Sequence, residues 1–127
     1  MARILVIEDN PANMKLACLL LQNAGHEPLS ASDAETGLTL ARAELPDLIL
    51  MDIQLPGMDG LAATVLLKNE AATARIPIIA LTAMTMKHDE EKTRAAGCDA
   101  YIAKPFRYQA LYAAIDALLA PAPPRTP

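Results

Sequence analysis

Short runs of consecutive apolar residues alternate along the chain with longer stretches in which apolar residues recur at helical spacing. Arg3 to Glu8 is β-branched and Leu-rich with no polar alternation, the pattern of a strand buried on both faces. Asn10-Pro11 follows, an N-cap residue and a proline suited to the first helical position. Met14, Leu16, Ala17, Leu20 and Leu21 mark one helix face, and Gly25 is placed to end that helix. Glu27 to Ala31 reads as a weak strand. Ser32-Asp33-Ala34-Glu35 fits a capping box, and the helix it opens should reach about Glu44 before Pro46 stops it. Asp47 to Asp52 is the clearest buried strand. Gln54 to Gly60, with Pro56, Gly57 and Gly60, reads as a loop, and a helix from about Leu61 to Asn69 follows. Ile76 to Leu81 is a fourth strand ending at Thr82, and Met86 to Ala96 is a helix stopped by Gly97. Ala100 to Ala103 is a fifth strand, and after a Lys104-Pro105 turn Tyr108 to Leu119 is an amphipathic helix.

Five strands alternating with five helices predict an α/β fold, with a parallel five-stranded sheet covered by helices on both faces as a three-layer sandwich. The 127 residues suit one domain. Residues 121–127 contain four prolines, which cannot continue a helix, and read as a Pro-rich disordered tail or the stub of a linker. With 53% hydrophobic and 20% charged residues the chain is not of the disordered class. Aromatics at 3% give little material for stacking on single-stranded nucleic acid, and a net charge of -4 does not attract phosphates as a whole, so no nucleic-acid partner is expected. No segment approaches the roughly 20 apolar residues of a membrane span, which predicts no membrane partner and a cytoplasmic location. Cys18 and Cys98 form no CxxC pair and read as small core residues in a reducing compartment. His26 and His88 lack metal-ligand spacing and read as surface residues.

In parallel α/β sheets, chemistry collects at the carboxyl ends of the strands. The last residues of the strong strands are Glu8-Asp9, Asp52 and Thr82, and Lys104 follows the fifth. Three carboxylates, a hydroxyl and an ammonium are thus expected on one rim. Each has an ordinary explanation alone: Asp9 at a helix start, Asp52 capping a loop, Thr82 ending a strand, Lys104 solvated at the surface. Together they point to chemistry. Crowded carboxylates repel, which suits a hard cation such as Mg²⁺ bound through oxygen, and one carboxylate could then act as a nucleophile toward phosphorus.

At these residues the chain resembles the receiver domain of bacterial two-component response regulators. The likeness runs over residues 3–119, within a domain of residues 1–120. It is carried by Ile7-Glu8-Asp9-Asn10, by Pro46 through Gly60 (PDLILMDIQLPGMDG), by Ile79-Ala80-Leu81-Thr82-Ala83 and by Tyr101-Ile102-Ala103-Lys104-Pro105-Phe106. Asn13-Met14-Lys15-Leu16, Met86-Lys87 with Asp89-Glu90-Glu91, and Gly97-Cys98 are similar to single-domain cell-division regulators of the DivK type.

The resemblance implies a flavodoxin-like (βα)5 fold with strand order 2-1-3-4-5. It implies a phosphoacceptor signalling domain and not an enzyme acting on a separate substrate: Asp52 takes a phosphoryl group from a histidine kinase phosphohistidine. Asp9, Asp52 and the Gln54 carbonyl would hold Mg²⁺ (or Mn²⁺), with Glu8 acting through water. Lys104 would pair with the phosphoryl oxygens, Thr82 would hydrogen-bond them, and the Ala83 N–H could add to that. Lys104-Pro105 resembles the family's cis peptide. In the family's switch, the Thr82 hydroxyl is drawn inward and the Tyr101 ring follows. Phe106, Tyr108, Leu111 and Tyr112 neighbour the face that would read the switch out. Met84 cannot orient a water, which implies slow loss of the phosphoryl group. Expected partners are a sensor histidine kinase or phosphotransfer protein and a downstream protein target, with the receiver a monomer or weak dimer.

Other readings are a receiver excised from a hybrid histidine kinase or multidomain regulator, a pseudo-receiver that only binds partners, a dinucleotide or flavin binder, and a phosphatase of the haloacid-dehalogenase type. The last would carry Asp-x-Asp after the first strand, whereas Asp9 is followed by Asn10-Pro11. A dinucleotide site would need a GxGxxG or P-loop, and neither is present. The short tail after Leu119 favours a stand-alone receiver.

Overall fold

The computed structural model describes residues 2–55, 57–82, 87–104 and 107–119, without the side chains of 87–90. Strands and helices alternate as β1 (Arg3–Ile7), α1 (Pro11–Asn23), β2 (Glu27–Ala31), α2 (Ala34–Glu44), β3 (Leu48–Asp52), α3 (Gly60–Lys68), β4 (Ile78–Thr82), α4 (Lys87–Ala96), β5 (Ala100–Ala103) and α5 (Tyr108–Leu119). The strands form one parallel sheet in the order β2-β1-β3-β4-β5, as the resemblance implied.

The apolar runs are strands because the sheet is covered twice. Ile4, Val6, Leu48, Leu50, Ile79 and Leu81 face α1 and α5, where they meet Ala17, Leu21, Leu111 and Ile115. Their neighbours Leu5, Ile7, Ile49, Met51 and Ile78 face α2 and α3 and meet Ala34, Leu38, Ala41, Ala63 and Leu67. Each fully buried Val, Leu, Ile or Met among these contributes about 1.5–3 kcal/mol by leaving water. Pro28 is tolerated in β2 because that strand is an edge, with a ladder on one side alone.

Two local readings need correction. The cap of α2 is Asp33, whose side chain accepts the Thr36 N–H at 2.7 Å, so the Ser32–Glu35 capping box does not form. Asp33 is one residue nearer the helix and its carboxylate is the stronger acceptor. Leu16, expected on the inward face of α1, is 41% exposed; the buried positions there are Ala17 and Leu21. At the helix end Gly25 adopts φ +85°, the left-handed turn expected of it. Cys18 and Cys98 are unpaired and half-buried. His26 is half-buried, its Nδ1 accepting the Ala2 N–H at 3.1 Å. No helix among the described residues is long and apolar enough to cross a membrane. Residues 121–127 and the His88 side chain lie outside the described residues.

Candidate functional site

Four adjacent strands end level with one another, and that registry assembles the site. Ile7 pairs with Met51, Asp52 with Leu81, and Thr82 with Ala103. The residues at or just past these ends are Glu8 and Asp9 on β1, Asp52 on β3, Thr82 on β4 and Lys104 on β5. Since all the strands run the same way, these side chains share the carboxyl edge of the sheet.

The Lys104 ammonium lies 2.6 Å from Glu8 Oε1 and 3.1 Å from Asp52 Oδ2. The other oxygen of each carboxylate is held by its own loop. The Asn10 N–H donates to Glu8 Oε2 at 3.2 Å, and the Gln54 N–H donates to Asp52 Oδ1 at 3.0 Å. Glu8 and Asp52 are 1% and 3% exposed, so these partners replace the water that both have lost. Asp9 is exposed at the rim. Oxygens of Glu8, Asp9 and Asp52 all lie within 4.8 Å of one another.

The electrostatics follow from this crowding. Burial pushes the Glu8 carboxyl above its ordinary pKa, and its hydrogen bond with Asp52 adds to the rise; Lys104 and the Asn10 N–H pull the other way without cancelling it. Burial alone would lower the Lys104 pKa, but its hydrogen bonds to Glu8 and Asp52 outweigh that and hold it above the ordinary lysine value. The ammonium is therefore firmly charged. Three carboxylates facing one ammonium leave the pocket with an excess of negative charge and oxygen donors alone, a set suited to a hard divalent cation.

The structure brings Glu8, Asp9, Asp52 and Lys104 together, and Thr82 ends the neighbouring strand β4 at the same edge of the sheet. Gln54 is exposed in the β3–α3 loop, joined to Asp52 through its backbone. Tyr101 on β5 pairs with Ala80 and is 39% exposed. Together with Lys104, Arg107, Ala110 and Ala114 it lines an open groove of about 550 Å³ between β5 and α5. Tyr108, at the start of α5, is 54% exposed and stands edge-on to Tyr112 with ring centroids 6.0 Å apart. Two members of the expected readout face serve packing instead. Leu111 is fully buried, and the half-buried Tyr112 donates its hydroxyl to Leu20 O at 2.8 Å, tying α5 to α1. Ala83, Met84, Met86, Pro105 and Phe106 lie outside the described residues. Gly60 differs from the loop assignment that its sequence suggests: it opens α3 directly against the Asp52 backbone.

A family model, the response regulator receiver domain, matches residues 4–116. The polar-differentiation response regulator DivK of Brucella anthropi is 48% identical over 102 residues, which are 80% of this chain and 83% of that protein. Among solved structures, the receiver domain of sensor histidine kinase PA1611 from Pseudomonas aeruginosa, with a magnesium ion coordinated in its active site cleft, superposes with a TM-score of 0.86. It is 34% identical, and the match covers 92% of this chain and 96% of that one. The chemotaxis protein CheY4 of Vibrio cholerae gives a TM-score of 0.88 at 26% identity, covering 94% and 99%. These relatives lend no support to the haloacid-dehalogenase alternative.

Proposed function

The chain belongs to the response regulator receiver family, and on that premise we propose that Asp52 accepts a phosphoryl group from the phosphohistidine of a sensor histidine kinase or phosphotransfer protein. It is a receiver of the two-component type, similar to DivK. The observation that carries the proposal is the Lys104 ammonium bridging Glu8 and Asp52 at the carboxyl edge of the sheet.

An Asp52 carboxylate oxygen attacks phosphorus in line as the phosphorus–nitrogen bond to the histidine breaks. The products are an aspartyl phosphate and a histidine that regains its ring electron pair. Little covalent help is needed beyond alignment and neutralisation of the equatorial oxygens. The Gln54 N–H holds Asp52 Oδ1, which orients the carboxylate. Lys104 already sits against Asp52 Oδ2, so a short shift carries its charge to a phosphoryl oxygen. The Thr82 hydroxyl, at the next strand end, donates to another. Since these groups all belong to the receiver, it promotes its own phosphorylation, and Met84 leaves dephosphorylation slow.

The oxygen-only donor set and its excess negative charge fit Mg²⁺, with Mn²⁺ as a substitute; Asp9, Asp52 and the Gln54 carbonyl would hold it and Glu8 would act through water. When bound, the ion supplies positive charge to the phosphoryl oxygens. The magnesium in the Pseudomonas receiver supports this assignment. Tyr101 and Tyr108 belong to the face that passes the state of the site to a downstream protein, and the family resemblance adds Phe106 to it.

Phosphotransfer from a panel of radiolabelled, autophosphorylated histidine kinases tests the proposal. Wild-type protein should take up label from its cognate kinase, EDTA should suppress the uptake, and Asp52→Asn should abolish it with the circular dichroism unchanged. Persistent labelling of Asp52→Asn would remove Asp52 from the role, and undiminished transfer in EDTA would remove the metal.

A further inference from the structure

We propose that Gly60 is a positioning residue for the phosphoacceptor: its missing side chain lets the first turn of α3 press on the Asp52–Ile53 peptide and fix where the Asp52 carboxylate stands. The proposal rests on Asp52 being the acceptor. A Cβ on Gly60 would lie 2.1 Å from the Asp52 carbonyl oxygen, 2.7 Å from Ile53 Cα and 2.9 Å from the Asp52 carbonyl carbon. All three are backbone atoms, so no flexible side chain can swing away to make room.

The backbone on both sides of the contact is held. The Ile53 N–H donates to Leu81 O at 3.1 Å on the neighbouring strand, and the Gly60 N–H donates to Ile53 O at 3.2 Å. One turn along α3, the fully buried Thr64 hydroxyl donates to Gly60 O at 2.8 Å. Asp59 caps the helix by accepting the Ala62 N–H at 2.8 Å. Gly60 is not there for its backbone angles, because the glycines with positive φ are Gly25, Gly57 and Gly97. Gly57, in the same loop, has φ +76° and open space around its missing Cβ: it serves a turn. Gly60 serves a contact.

A methyl group at position 60 must therefore move the Asp52–Ile53 peptide or the start of α3 by roughly 1 Å, a misplacement that costs a reacting group up to about a hundredfold in rate. The displacement reaches the carboxylate because the Gln54 N–H that orients Oδ1 follows two residues after it.

The test compares full-length wild type, Gly60→Ala, Thr64→Val and Gly97→Ala. Gly97→Ala is the strain control, since Gly97 has φ +106° and its Cβ would meet the Lys68 side chain at 2.9 Å, away from the site. Phosphorylation by acetyl phosphate in excess Mg²⁺ is followed at a temperature where circular dichroism shows every variant folded. In parallel, amide resonances are recorded without phosphodonor. Gly60→Ala should slow phosphorylation by about ten- to a hundredfold and shift the Ile53 and Gln54 amides. Thr64→Val should do the same less strongly, and it decides the question if Gly60→Ala does not fold. Gly97→Ala should lose stability yet keep its rate. A folded Gly60→Ala with the wild-type rate, unmoved amides at 53 and 54, or an equal rate loss in Gly97→Ala would each overturn the proposal. A wild type that takes up no phosphoryl group sinks the Asp52 assignment instead, and the amides still decide whether Gly60 positions the peptide.

Discussion

Replacing Lys104 by Met removes the charge that offsets Glu8 and Asp52 while keeping most of the stem's volume. The two nearly buried carboxylates then face each other, and such a pair relieves itself by taking up a proton. That uptake bounds the cost. Carrying one carboxyl from its ordinary pKa of about 4.3 to pH 7 costs about 1.4 kcal/mol per unit, or about 4 kcal/mol at most. The wild type already bears part of this burden, since its Glu8 is raised even with Lys104 in place. A loss of about 2–4 kcal/mol is expected at pH 7, consistent with the cost of breaking buried ion pairs. The sign of the pH dependence follows from the direction of the shift. A carboxyl whose folded pKa is raised contributes its full stability below the ordinary carboxylate range and loses it as pH rises toward the folded value. The gap between variant and wild type should therefore be widest near neutrality and close toward pH 4. Urea unfolding followed by circular dichroism at several pH values in EDTA measures it, and added Mg²⁺ should narrow it. A gap that does not change with pH would mean that Lys104 stabilises through its packed stem, and the charge argument would fail.

Tyr101→Ala should weaken phosphorylation-dependent binding to the downstream partner by more than it slows phosphorylation, because Tyr101 lines the open groove and not the acidic pocket. Equal losses in calorimetric binding and in phosphorylation would contradict that separation. Leu45 ends α2 with φ +46° and is 52% exposed, so its side chain gains little from burial while its backbone bears left-handed strain. Leu45→Gly should raise stability by about 0.5–1 kcal/mol, since the relief exceeds the entropy glycine adds to the unfolded chain. A lower thermal midpoint would show that the leucine is engaged.

The doubly covered strands were legible because β1 after Arg3, β3 before Asp52 and β4 before Thr82 are apolar at every position, and no exposed face breaks the run. The site was legible for a related reason: a parallel sheet sends all its strand ends to one edge, so the residue after each apolar run belongs to one constellation. Finer features depend on distances that periodicity does not carry. Ser32 and Asp33 are both competent caps, and where the helix begins decides between them. Leu16 fits the apolar stripe of α1 yet points outward, because Ala17 and Leu21 take the inward positions. Gly60 looked like a loop residue beside Gly57. A glycine directly after a capping Asp59, where helix formers are preferred, was the available signal that something approaches closely there.

Glu8 and Lys104, the partners of the 2.6 Å ion pair, are 96 residues apart along the chain. A growing polypeptide that has not yet delivered β5 has Glu8, Asp9 and Asp52 but not the cation that balances them. The charge balance of the pocket is therefore a property of the finished molecule, reached only when the last strand has docked on the edge of the sheet.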